Sequence, residues 1–206
     1  MEAIRAERGM EPPAQRGLTT HYGVLDGRQV AELSAPGAAI GLLGGVIAGG
    51  LLAITGLSLP ITLMATVLLA VPLALAGAVY EILLAKGGLP MGTLSGAAML
   101  WAVAWPVIRV LHGAIVDLIA GNGIATPGGI LSFFVYQMLV SVPFAIGFWW
   151  LHENFAPRWW FHIRNRNPVA NYYIRVQLQY AGAAEEEKER QRERRAARAQ
   201  ARRDKS

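Results

Sequence analysis

The chain has 206 residues, 53% of them hydrophobic and 16% charged, with a formal net charge of +5 and no cysteine. A soluble domain carries about 25% charged residues, and here the shortfall is concentrated: between residues 35 and 151 the only formal charges are Glu81, Lys86, Arg109 and Asp117. That distribution excludes an ordinary soluble core, and the missing cysteines exclude disulfides, thiolate metal sites, iron–sulfur ligation and cysteine nucleophiles.

Residues 1–34 form a polar N-terminal segment. Its opening, MEAIRAERGMEPPAQRG, has no apolar h-region, so no cleavable signal peptide is expected. In residues 21–33, HYGVLDGRQVAEL, the Asp26-Gly27 pair lies between short apolar stretches and predicts a hairpin.

An apolar helix needs about 20 residues to cross roughly 30 Å of hydrocarbon. Residues 35–156 hold four such stretches, at about 36–56, 59–85, 94–121 and 128–151. Turn chemistry separates them: Gly-Leu-Ser-Leu-Pro at 56–60, Lys-Gly-Gly-Leu-Pro at 86–90 and a Gly/Pro-rich run at 121–129. The predicted fold class is an all-α integral membrane protein of four transmembrane helices, with a small cytoplasmic β element and a charged C-terminal helix or tail. The loops at 56–60 and 121–129 carry no Lys or Arg, whereas the two ends and the 86–90 loop do. With four spans every basic flank falls on one side, so both termini are expected to be cytoplasmic.

Span one repeats glycine every fourth residue at Gly37, Gly41, Gly45 and Gly49. The four share one slowly turning stripe and let another backbone approach closely. Intramolecular packing against span two or four is one use. A docking face for another protein or a second copy is the other.

Span three carries Arg109, His112 and Asp117 on one broad face. A lone Arg at a helix centre costs roughly 2.5–3.5 kcal/mol on insertion scales, so it needs a partner. Tyr136 or Gln137 of span four, a partner subunit, or a hydrated path for protons or an anion are the three options. Structural pairing weighs more than transport, because spans one and four bring no carboxylate. His112 is a weak cofactor candidate. Bis-histidine haem ligation needs a second His at its depth, and His152 sits at the opposite end of its span. Pro72, Pro106 and Pro143 interrupt spans two, three and four.

Trp149, Trp150, Arg158, Trp159 and Trp160 mark the inner interface, where indole and guanidinium anchor among headgroups. In the interfacial and cytoplasmic segment, residues 157–182, YIRVQLQY alternates Ile174, Val176, Leu178 and Tyr180 with Arg175, Gln177 and Gln179. That is strand period, and with the 21–33 hairpin it predicts a small cytoplasmic sheet; Asn167-Pro168 offers a helix cap as the rival. Residues 183–206 run from acidic to basic without an apolar stripe and read as a solvated helix or tail.

No P-loop, dinucleotide fingerprint, HExxH or GxSxG is present. Inverted repeats that would favour a transporter are not evident. The expected function is a non-catalytic structural or assembly subunit of a larger membrane complex, docking through the glycine face and the cytoplasmic ends. A small transporter or proton-conducting protein using span three is the alternative. The expected partners are other membrane subunits or further copies of the chain, with anionic lipid at the basic face. The sequence indicates no cofactor beyond lipid. Nucleic acid is disfavoured because the basic tail lacks interleaved aromatics.

Overall fold

The computed structural model describes residues 25–119, 121 and 128–203. In chain order they form α1 (Gly27–Leu52), a single 3-10 turn (Ala53–Thr55), α2 (Leu59–Ala85), α3 (Leu94–Ile119), α4 (Ile130–Ile163) and α5 (Pro168–Arg203). The first four helices are each long and apolar enough to cross a membrane, and the chain is a multi-pass membrane protein. They run up, down, up and down. The end where α1 begins and α4 passes into α5 is called proximal here, and the end of the 53–58 and 120–129 connections distal.

The hydrophobic pattern locates α2 within a residue of its ends: Pro60 opens the helix and Gly87, with φ of 71°, follows its close. It misplaces the start of α1, which begins at Gly27 rather than near residue 36. The predicted hairpin at 21–33 is not formed in its described part. Asp26 is instead an N-cap: its carboxylate accepts from the Gln29 amide at 2.7 Å, and the Gln29 side chain accepts from the Asp26 amide at 3.2 Å. That reciprocal pair is a capping box, and it satisfies two of the amides a helix start leaves open. Residues 21–24 lie outside the described residues.

The predicted strand at 174–180 is helix. Asn167 accepts from the Ala170 amide at 3.2 Å and Pro168 takes the first helical position, where its missing N–H costs nothing. The buried residues are Val169, Ala170, Tyr173 and Ile174, a helical stripe against α4, while Leu178 is exposed. With both halves helical, the described residues contain no sheet. Helix α4 runs on through Pro157 to Ile163, about 51 Å in all, so it outreaches the hydrocarbon by roughly 20 Å.

The glycine stripe is used inside the chain. A Cβ added at Gly37, Gly41 or Gly45 would collide with the backbone of Gly77, Leu73 or Ala70, and one at Gly49 with the Thr66 side chain. Each step of four along α1 meets a step of three or four back along α2, the register of an antiparallel pair. The α1–α2 hairpin thus packs backbone to backbone, where small residues replace the missing hydrophobic driving force between helices in lipid.

The proximal corner ties α1 to the junction of α4 and α5. Pro36 lies inside α1 and has no N–H, which frees the Glu32 carbonyl one turn back. The Trp159 indole N–H donates to that carbonyl at 2.7 Å. Arg166 Nε donates to both Glu32 carboxylate oxygens at 3.0 Å. Asn167 donates to the Gln29 carbonyl at 2.9 Å, and Gln29 returns a bond to the Arg166 carbonyl at 3.2 Å.

The stripe carries its own control. Gly41→Ala must push the α2 backbone aside, an overpacking cost of about 1–3 kcal/mol. Gly50→Ala meets nothing within 4 Å and gains helix propensity. In detergent thermal unfolding, Gly41→Ala is expected to lower the midpoint and Gly50→Ala to hold or raise it.

Candidate functional site

The buried polar groups of the bundle fall into two layers. The proximal layer centres on Glu81 of α2 and His152 of α4, both fully buried. His152 Nε2 lies 2.9 Å from Glu81 Oε1, and the Gly37 amide also donates to that oxygen at 3.2 Å. The carboxyl and imidazole satisfy one another by this hydrogen bond. Mutual pairing is what lets two ionisable groups sit in an apolar core. His152 Nδ1 faces Glu153 Oε1 at 3.5 Å, an ion-pair distance without a hydrogen bond. Glu153 is 30% exposed, so the buried pair has a polar neighbour at the proximal surface.

Aromatic rings wall this layer. Tyr80 meets the His152 ring edge-on with centroids 5.0 Å apart, Trp160 does so at 5.6 Å, and Phe148 stacks on it at 6.1 Å. Tyr173 of α5 closes the proximal side against Trp160 at 4.6 Å. Glu81 Oε2, Trp160 Nε1 and the hydroxyls of Tyr80 and Tyr173 have no hydrogen-bond partner among the described residues. Burial, reinforced by the nearby Glu81, pushes the Tyr173 phenol well above its ordinary range.

The distal layer holds the polar residues of α3. His112 Nε2 lies 3.0 Å from the Ala65 carbonyl, and Arg109 Nη1 lies 3.2 Å from His112 Nδ1. A carbonyl only accepts and a guanidinium only donates. His112 is therefore neutral, with its proton on Nε2 and its Nδ1 accepting from Arg109. Both nitrogens are spent, and α3 is tied through His112 to α2. Gln137 does not pair with Arg109; its amide oxygen accepts from the Trp105 indole at 3.1 Å. Asp117 lies two turns further along α3, half-buried.

Between α1 and α4 the distal layer opens into a crevice of about 260 Å³, lined by Ala48, Leu51, Leu69, Trp105, Arg109, Tyr136, Gln137 and Val140 among others. A second, apolar groove of about 320 Å³ lies between the same two helices nearer the proximal end, along Ile40, Leu43, Leu151 and Phe155.

The aromatic residues proposed as interfacial anchors divide. Trp150 and Trp159 keep exposed faces, and Arg158 is exposed. Trp149 is half-buried, and Trp160 turns wholly inward. Among the described residues no three of His, Cys, Asp and Glu converge as metal ligands would.

The Glu81–His152 pair is the feature the sequence reading passes over. The signal was available: one carboxylate near the end of α2 and one imidazole near the same end of α4 must lie at similar depth in an up-and-down bundle. Comparing His152 only with His112 conceals it. No protein-family model, curated protein or solved structure matches the chain.

The pair makes a thermodynamic cycle informative. Glu81→Gln or His152→Phe alone strands a buried polar partner and is expected to cost about 3–5 kcal/mol. The double variant Glu81→Met with His152→Phe removes both and is expected to recover much of that loss. Denaturant titration in mixed micelles measures each corner of the cycle.

Proposed function

We propose that the chain is a non-catalytic structural or assembly subunit of a larger membrane complex. The observation that carries this reading is the aromatic layer between the two polar layers. Trp101, Phe144 and Phe148 pack together there, with Trp101 centroids 4.6 and 5.0 Å from the two Phe rings. His152 and Gln137 are fifteen residues apart on α4, so the polar layers are separated by about 22 Å. A path for protons or an anion needs polar groups across that gap; on α4 the buried side chains within it are Ser141, whose hydroxyl donates to the Met138 carbonyl, Ala145 and Phe148, and aromatic rings occupy the rest of the layer. The polar groups of each layer tie helices together, which is a scaffold's use of them.

Two further features support docking. Residues 181–183 and 185–195 of α5 are exposed, and the segment is charged, joined along its own surface by Lys188–Glu185 at 2.9 Å and Arg190–Glu186 at 3.7 Å. Such a helix gains nothing by folding back onto the bundle and is free to meet an acidic surface or anionic lipid. The Lys and Arg bias of the flanks supports a cytoplasmic position for this arm and both termini. The glycine stripe leaves the list of docking surfaces, because α2 covers it.

The rival is proton conduction. What favours it is the contact of His152 with both buried Glu81 and partly exposed Glu153, a proton entry from the proximal surface. The two readings separate cleanly. Native purification in mild detergent is expected to give a complex of fixed stoichiometry by mass spectrometry, and the purified chain in liposomes no proton flux above empty vesicles. A chain that purifies alone and dissipates a pH gradient, with the flux lost in His152→Phe, overturns the subunit reading. Removing residues 183–206 is expected to leave thermal unfolding of the bundle unchanged while weakening the complex.

A further inference from the structure

Among the described residues, Arg109 meets His112 and no carboxylate. Its guanidinium has five N–H donors, and one of them meets His112 Nδ1. His112 is neutral, since its other nitrogen donates to the Ala65 carbonyl. No carboxylate among the described residues pairs with Arg109, and the polar side chains of Tyr136 and Gln137 line the same crevice. Arg109 lines the crevice between α1 and α4, together with Trp105 and Gln137. The rims are apolar: Leu51 of α1 and Val140 of α4 border the same crevice, and Leu51 is exposed. An intramembrane guanidinium without a counter-ion is costly, and the crevice beside it is open rather than enclosed.

Depth selects the counter-ion. The guanidinium is level with His112, seven residues before the end of α3, and so about 10 Å below the distal helix end. A helix of 26 residues spans about 39 Å against about 30 Å of hydrocarbon. With α3 centred in the bilayer, the charge lies roughly 6 Å inside the hydrocarbon, beneath the level of the lipid phosphates. An anion that meets it there without deforming the bilayer has to be carried down on an apolar helix.

We propose that Arg109 is the docking cation for a transmembrane helix of a partner protein that bears an Asp or Glu at this depth, seated along the crevice between α1 and α4. This rests on the subunit reading and names the chemistry of the partner. The carboxylate takes the guanidinium donors that His112 leaves. The apolar rims receive the residues one turn above and below the acid, and the Tyr136 hydroxyl stands at the mouth as a further donor. Trp105 holds Gln137 and so keeps its amide oxygen from competing for Arg109.

The chain has no native cysteine, so a donor dye attaches to one introduced site. Gly147→Cys serves, because a side chain there meets nothing within 4 Å. The labelled protein is reconstituted in phosphatidylcholine vesicles and titrated with acceptor-labelled Leu/Ala transmembrane peptides carrying one Asp, or one Asn, about 10 Å from one end. Energy transfer reports binding. The Asp peptide is expected to bind about tenfold more tightly than the Asn peptide. That preference should vanish in Arg109→Gln and persist in Arg109→Lys. The Asp/Asn comparison on the otherwise native chain depends on no change at Arg109, so a folding defect in Arg109→Gln cannot imitate the result. Equal binding of the two peptides, or a preference that survives Arg109→Gln, overturns the proposal. So does a stoichiometric anionic lipid that the native chain retains and Arg109→Gln releases, which would make lipid the occupant. If the peptides bind equally while native purification still yields a complex, only this docking site falls. If the chain purifies alone, the subunit reading itself falls.

Discussion

The close approach of α1 to α2 at Gly37 and Gly77 is the constraint from which the rest of the bundle follows. A side chain at either position would hold the two backbones apart. With both absent, the Gly37 amide reaches Glu81, and Glu81 in turn holds His152 of α4. The contact thereby fixes three of the four spans relative to one another around a single carboxylate oxygen. Pro36, one residue earlier, frees the carbonyl that Trp159 takes, so the same short stretch of α1 also secures the α4–α5 corner.

In lipid the exchange of hydrophobic surface for hydrophobic surface gains little, and packing and polar contacts carry the specificity. The chain divides these roles by region. Small residues determine the α1–α2 pair, rings determine the α3–α4 pair through Trp101, Trp105, Phe144 and Phe148, and two small polar layers join the pairs at either end. Each layer is closed in a different manner. The proximal one pairs Glu81 with His152. The distal one ties His112 to the Ala65 carbonyl and to Arg109, which borders the crevice between α1 and α4.

Much of this architecture is legible in the sequence. Residues 59–85 read correctly because an unbroken apolar run is bounded by Ser-Leu-Pro and Lys-Gly-Gly. The stripe from Gly37 to Gly49 is visible as spacing, but spacing cannot say which helix covers it; the complementary small residues Ala70 and Gly77 on α2 could have. The two β predictions fail for one reason. Asp26-Gly27 and the alternation of 174–180 are local signals, while Asp26 with Gln29 and Asn167 with Pro168 are helix starts whose effect extends over many residues. The sequence neighbours of Trp160 point to the interface, yet one residue of helical rotation from Trp159 turns it inward. The partner of His112 on α2 is not legible, because a backbone carbonyl such as that of Ala65 carries no signature.

The most direct test of the account is whether the glycine face meets α2 of its own chain. In the cysteine-free background, Gly49→Cys with Thr66→Cys puts two Cβ atoms 2.5 Å apart where the helices cross, so the pair has to part by about 1 Å to reach disulfide spacing, while Gly50→Cys with Thr66→Cys places one thiol on the outer face. Oxidation in native membranes, followed by mass spectrometry, is predicted to give an intramolecular cross-link for the 49/66 pair and little for 50/66. Covalent dimers from Gly49→Cys alone, with no 49/66 cross-link, would contradict the account and place the stripe against another chain.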